Sequence, residues 1–328
     1  MLGEQKAPLS IGGKPAAWKL SDLVKKYNLL ILLLLFMGIG AALSPKFLTL
    51  QNLLNLLQQS SVVGIVALGM TFVILVAGID LSVGSTMALS SMSVAMFVTS
   101  GMNSLPAIVL AVIAGAAIGV VNGLVVTKLK VPAFIATLAM MVAARGLALL
   151  LTDGKPIFNL PPSIRFLGGN IFERIPVSGV LWILLTLVSL FVLRFTTFGR
   201  KLYAIGGNPQ SAHLTGIQVD RYVASTYAIC GMLAALGGVV LTSWLTVGQP
   251  TSGQGIELDA IAAVVLGGTS LFGGVGGVGG TFVGVLLMSV LKNVFNLIGL
   301  SSYYQSIFMG AIIVGALVLN RFVIRKNS

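Results

Sequence analysis

Long apolar runs separated by short polar breaks dominate this chain. The runs are Asn28–Leu43, Val62–Ile79, Leu81–Thr99, Leu105–Val126, Ala133–Leu151, Val177–Leu193, Val223–Val247, Leu258–Phe272, Thr281–Ile298 and Tyr303–Leu319, which makes ten candidate helices. Most approach the roughly 20 residues that a helix needs to cross a bilayer core. A membrane barrel would show alternating segments of about 10 residues; these runs are continuous, so strands are not expected. Pro45, Pro106, Pro132, Pro176 and Pro250 sit at or near run ends, where a missing N–H costs little. Leu258–Phe272 is the short one, about 22 Å as helix against a core of roughly 30 Å. It reads either as a crossing or as a re-entrant, broken element. The crossing is kept, because without it Arg321, Arg325 and Lys326 would change sides.

Composition supports a bilayer as solvent. Mean hydropathy is +1.02, and 9% of the 328 residues are charged, where soluble domains carry about a quarter. The 40 glycines suit close helix packing through small residues. The net charge of +12 does not point to nucleic acid, because the charges sort by loop and form no basic face. With the N-terminus placed in the cytoplasm, fourteen cations fall inside: Lys6, Lys14, Lys19, Lys25, Lys26, Lys128, Lys130, Arg194, Arg200, Lys201, Arg221, Arg321, Arg325 and Lys326. Lys46, Lys155, Arg165 and Arg174 fall outside, in keeping with the positive-inside rule. Both termini are then cytoplasmic. The expected divisions are a cytoplasmic segment 1–27, a transmembrane domain 28–322 and a tail 323–328, with the first span an uncleaved anchor.

Between Phe47 and Thr127 the only charged residue is Asp80. A lone charge in apolar surroundings must be neutralised, hydrogen-bonded or placed in a wet cavity. It lies in Gly78-Ile79-Asp80-Leu81-Ser82-Val83-Gly84, between two apolar runs with no loop to spare. Gly268-Thr269-Ser270-Leu271-Phe272-Gly273-Gly274 resembles it, with Ser270 in the place of Asp80. Both residues can N-cap a new helix. Gly78, Asp80, Ser82, Gly84, Gly267, Gly268, Thr269 and Ser270 thus mark a repeated helix break, and paired breaks point to a transport path. The plainer reading is a tight turn with a capping side chain. The motif match puts both breaks on one side, whereas five spans per half would invert them.

The polar stretch of about 195–222 carries a second pattern. Asn208 is a good N-cap, Pro209 a good first helical residue and Gly216 a good terminator. A short surface helix is expected over Pro209–Thr215, through Gln210, Ser211, Ala212, His213 and Leu214. It reads as a docking element for a partner or as an ordinary structured loop.

Catalytic patterns are missing. No G-x-x-x-x-G-K-[ST], G-x-S-x-G or H-E-x-x-H occurs, and His213 is the sole histidine. Cys230 is the sole cysteine and reads as a small buried residue. No enzyme, metal or cofactor is expected. Glu257 and Asp259 read as caps or interface anchors. Arg145 reads as snorkelling, as pairing with a carbonyl or as facing the bundle interior, and Lys292 reads as snorkelling.

Several segments together resemble ribose-type permeases of ATP-binding-cassette importers. They are Gly69-Met70-Thr71 through Gly78-Ile79-Asp80-Leu81-Ser82-Val83-Gly84-Ser85; Phe198-Gly199-Arg200 through Gly206-Gly207-Asn208-Pro209 to Thr215-Gly216-Ile217; Glu257-Leu258-Asp259 through Gly267-Gly268-Thr269-Ser270-Leu271; and Ser302-Tyr303-Tyr304-Gln305. The resemblance runs from about Ser44 to about Asn320. It implies an all-α membrane protein, similar to type II importer permeases, which sits in the bacterial inner membrane as a homodimer. A periplasmic sugar-binding protein would deliver a monosaccharide or small polyol, and a cytoplasmic ATPase subunit would dock on Asn208–Gly216. His213 stands where relatives commonly carry a basic residue. The rival readings are an ATP-independent channel or facilitator and an ion-coupled carrier.

Overall fold

A computed structural model describes residues 20–305, with side chains from residue 28, together with residues 307, 308, 310, 311 and 315. Residues 1–19 of the expected cytoplasmic segment 1–27, the tail 323–328 and most of Tyr303–Leu319 lie outside the described residues, while 20–27 form the first turns of a helix.

The described helices are α1 (Leu20–Leu43), α2 (Leu50–Leu75), α3 (Val83–Thr99), α4 (Ser104–Thr127), α5 (Ala133–Leu150), α6 (Val177–Phe195), α7 (Thr197–Gly207), α8 (Pro209–Leu214), α9 (Val219–Leu245), α10 (Ile256–Leu266) and α11 (Val278–Leu297), with a short 3-10 helix at Pro162–Phe166. Among them α2, α4, α5, α6, α9 and α11, six in all, are long and apolar enough to cross a membrane; Asn28–Leu43 and α3 are shorter apolar helices. The chain is helical as expected, and six such helices stand where about ten crossings were expected. One departure is a pair of two-residue strands, β1 (Asn170–Ile171) and β2 (Ile175–Pro176), with Ile171 opposite Ile175. They form in the polar stretch between α5 and α6, where a local hairpin needs no apolar run.

Three boundaries differ from the hydropathy reading for identifiable reasons. α2 starts at Leu50 and not at Val62. Its first turns are polar, but Thr49 accepts the Asn52 amide at 3.3 Å, and the Asn52 and Asn293 carboxamides exchange two hydrogen bonds at 2.9 Å. α2 also ends at Leu75, short of Ile79. α10 ends at Leu266, short of Phe272, because Gly268 turns left-handed at φ +83°. Its N–H donates to the Val265 carbonyl at 2.9 Å and the next N–H, of Thr269, to Val264 at 3.2 Å, which closes the helix in a Schellman motif.

The core centres on α2 and α9, with Ile65, Leu68, Met70, Ile74, Tyr227 and Cys230 fully enclosed. α4 lies directly on α9. A Cβ on Gly231 would strike the backbone of Gly115 and Gly119, one on Gly119 the Tyr227 carbonyl and one on Gly123 the Ala224 backbone. No side chain separates the two helices there, which is how helices gain contact in lipid, where apolar burial between them gains little. Outward faces of α4, α5 and α6 carry exposed Leu105, Ile113, Ile135, Val142, Leu184, Leu187 and Phe191, as a lipid-covered surface requires.

Candidate functional site

The first break lies between α2 and α3. Ala77 adopts φ 58°; its N–H donates to the Ile74 carbonyl and that of Gly78 to Val73, both at 2.9 Å. This is a Schellman closure with alanine where glycine is usual. The Ile79 carbonyl then accepts the Tyr227 hydroxyl at 3.3 Å and the Thr137 hydroxyl at 3.4 Å. Unpaired backbone is thereby satisfied inside the bundle, which is where irregular segments of a membrane protein are tolerated.

Asp80 is 1% exposed. Its Oδ1 accepts the Ser82 N–H at 2.9 Å and the Ser82 hydroxyl at 2.6 Å; the Asn122 carboxamide donates to Ser82 Oγ at 2.8 Å. The N-cap of α3 is Ser82, not Asp80. The capping expectation is corrected accordingly: the carboxylate forms a two-residue turn that fixes the cap residue. Oδ2 has no hydrogen-bond partner among the described residues.

The second break, Gly267 to Gly277, follows α10. Ser270 Oγ accepts the Phe272 N–H at 3.2 Å, the same two-residue turn that Asp80 makes. Ser270 does not cap α11 either, whose N-cap is Gly277. Thr269 Oγ1 accepts the Gly277 N–H at 3.2 Å. The correspondence of the two breaks carries an offset. Asp80 is the third residue after the left-handed Ala77, and Ser270 is the second after the left-handed Gly268.

Both breaks meet the end of α7. The Gly274 N–H donates to the Leu75 carbonyl at 3.0 Å, and a Cβ on Gly206 would fall on that carbonyl and on the Gly274 amide. The Tyr203 hydroxyl donates to the Gly276 carbonyl at 2.9 Å, and burial pushes its pKa up, so the donor keeps its proton. Above the junction Thr71 and Thr281 pair through their hydroxyls at 2.8 Å. The two breaks therefore lie at one end of the bundle, as the motif match implied.

α7 itself was not expected. Thr196 caps it by accepting the Gly199 N–H at 3.3 Å; a threonine just after an apolar run was the available signal. α8 follows as expected. Asn208 Oδ1 accepts the Ser211 N–H at 2.9 Å, and Pro209 is the first helical residue. Gly216, at φ +84°, ends it with its N–H on the His213 carbonyl at 2.9 Å and that of Ile217 on Ala212 at 3.2 Å. Ala212 is buried, while Gln210, Ser211, His213 and Thr215 face out and Leu214 is 86% exposed.

The stretch between α9 and α10 turns back along α3. Gly248 packs beside Ala95, near the end of α3, and Gly253 beside Gly84, near its start. Arg145 Nη1 donates to the carbonyls of Pro250 at 2.8 Å and Ser252 at 3.0 Å. Of the readings open for Arg145, carbonyl pairing is the one realised. Lys292 does not snorkel; it forms an ion pair with Asp259 across α10 and α11. Glu257 lies in the first turn of α10, its carboxylate against Gly84.

Residues 52–317 match the family described as branched-chain amino acid transport system / permease component. The chain is 47% identical over 285 residues to the Ribose import permease protein RbsC of Bacillus subtilis, covering 86% of this chain and 88% of the relative. It is 45% identical over 295 residues to that of Escherichia coli, covering 89% and 92%. The D-allose transport system permease protein AlsC of Escherichia coli is 35% identical over 301 residues, covering 91% and 92%. No solved structure matches the chain.

Proposed function

The chain belongs to the branched-chain amino acid transport system permease-component family, as a permease of the ribose type, and from that premise we propose that it carries a monosaccharide across the bacterial inner membrane. It is the membrane subunit of an ATP-binding-cassette importer and works as a homodimer. A separate ATPase subunit binds its cytoplasmic end, and a sugar-binding protein delivers substrate to the other.

The observation that carries this reading is the junction of Gly206, Leu75 and Gly274. A helix with an exposed Leu214 is joined through Gly207 and Asn208 to a place where both helix breaks touch. Movement of an ATPase against α8 would be passed to the ends of α2 and α10 together. In a two-state transporter such a link lets a partner bias the equilibrium, through its differential contacts with each state. Asn208 to Gly216 form the docking segment, and the residues around Asp80 and Ser270 form the element that responds.

The relatives' names favour a sugar over an amino acid. The test is reconstitution in proteoliposomes with the ATPase and binding protein. Ribose and related monosaccharides should enter only with ATP inside the lumen that faces α8. Uptake without ATP would instead mean a facilitator, and uptake driven by an ion gradient a coupled carrier.

A further inference from the structure

The depth of one irregular segment carries a second assignment. α9 has 27 residues, about 40 Å at 1.5 Å per residue. Tyr227, beside Ile79, and Gly238, against Met87, lie about 12 and 29 Å along it from Val219. Gly84 falls between those levels, near the middle of α9, and Gly253 touches it. The stretch Thr251–Glu257 thus reaches the middle of the bundle, without helical hydrogen bonds until α10 starts at Ile256.

One side of that stretch is polar and exposed, while Ser252 and Ile256 turn inward. Thr251 and Gln254 are exposed, and Glu257 and Arg145 are partly so. Glu257 is the acidic group whose charge acts on Arg145, yet no salt bridge joins them. Irregular backbone and ionisable side chains are not tolerated against hydrocarbon at this depth; they occur where protein or a water-filled cavity meets them. The lipid-like surfaces of α4 and α6, by contrast, expose Leu, Ile, Val and Phe.

We propose that Gln254 and Glu257, with Arg145 anchoring the irregular segment behind them, line a water-filled path that hydrogen-bonds a neutral polyhydroxylated substrate. This rests on the monosaccharide-import reading. The carboxylate accepts from vicinal hydroxyls, and the carboxamide both donates and accepts. Arg145 has its Nη1 committed to two carbonyls and acts by holding the segment in place.

Two experiments on the assembled transporter in proteoliposomes test this. Cys230 is buried, so an added thiol is the reactive one. A charged, membrane-impermeant maleimide should label Gln254→Cys and leave Leu184→Cys, on the apolar face of α6, unlabelled. If Gln254→Cys stays unlabelled until the protein is denatured, the residue faces lipid or a second copy and the path is elsewhere. Glu257→Gln, at equal membrane abundance, should lower substrate uptake about tenfold or more, the scale of losing a charge-assisted hydrogen bond. Wild-type uptake in that variant overturns the substrate contact. The labelling uses no sugar, so it decides the path even if the wild-type transporter carries another substrate and the sugar reading fails.

Discussion

The amide of Gly274 is bonded to the carbonyl of Leu75 at 3.0 Å, so the loop after α10 is fastened to the last residue of α2. Gly206 is pressed onto both atoms. Gly206→Ala adds a methyl with nowhere to go. Overpacking of this kind typically costs about 1–3 kcal/mol. Uptake by the reconstituted complex should fall steeply, and the purified variant should melt at a lower temperature. Unchanged uptake and melting would remove the junction from the coupling route.

Asn208 bears on the docking helix alone. Asn208→Ala removes the acceptor for the Ser211 N–H and should destabilise α8 by about 1 kcal/mol. ATPase subunit retained on an affinity-tagged permease is expected to drop, and Asn208→Asp, which keeps an acceptor, should restore it. Leu214→Glu should reduce retention further without changing the melting temperature, since that side chain is 86% exposed.

Asp80 separates hydrogen bonding from charge. Asp80→Asn keeps an oxygen for the Ser82 N–H and hydroxyl, and uptake should survive. Asp80→Leu leaves a buried amide and hydroxyl unpaired, each at about 1–3 kcal/mol, and uptake should be lost with the protein still inserted. If Asp80→Asn abolished uptake while folding normally, the charge itself would be the requirement.

Arg145 holds two carbonyls of the segment that turns back along α3. Arg145→Leu leaves both without that donor, and a hydrogen bond to a charged group contributes about 1.5–3 kcal/mol. The purified variant should then melt at a lower temperature. An unchanged melting temperature would mean that the segment is held by Gly248 and its two bonds to Ile157.

Local signals were legible in the sequence, and tertiary ones were not. Asn208, Pro209 and Gly216 predicted α8 because cap, first residue and terminator act within a few residues of one another. The first three turns of α2 were missed because Asn52 and Gln58 read as polar loop; their partners, Asn293 and the Gly168 carbonyl, are distant in sequence. The Asp80 and Ser270 turns were visible as a faint repeat. Their role was misread by two residues at Asp80 because an acid can serve either as a cap or as the start of a turn. The stretch Thr246–Gly255 looks like any loop. Its contacts with Ser91, Ala95 and Gly84 on α3 place it inside the bundle.

The glycine seam between α4 and α9 has a consequence for motion. Backbones that touch at Gly115, Gly119 and Gly231 cannot slide past one another without collision. These two helices are therefore expected to move as a single plate in a transport cycle. α2 rests on the same plate where Gly69 meets the Cys230 backbone, and the left-handed residues Ala77 and Gly268 lie just beyond the ends of α2 and α10. Movement at those ends is shared, because the Gly274 amide ties the loop after α10 to the Leu75 carbonyl.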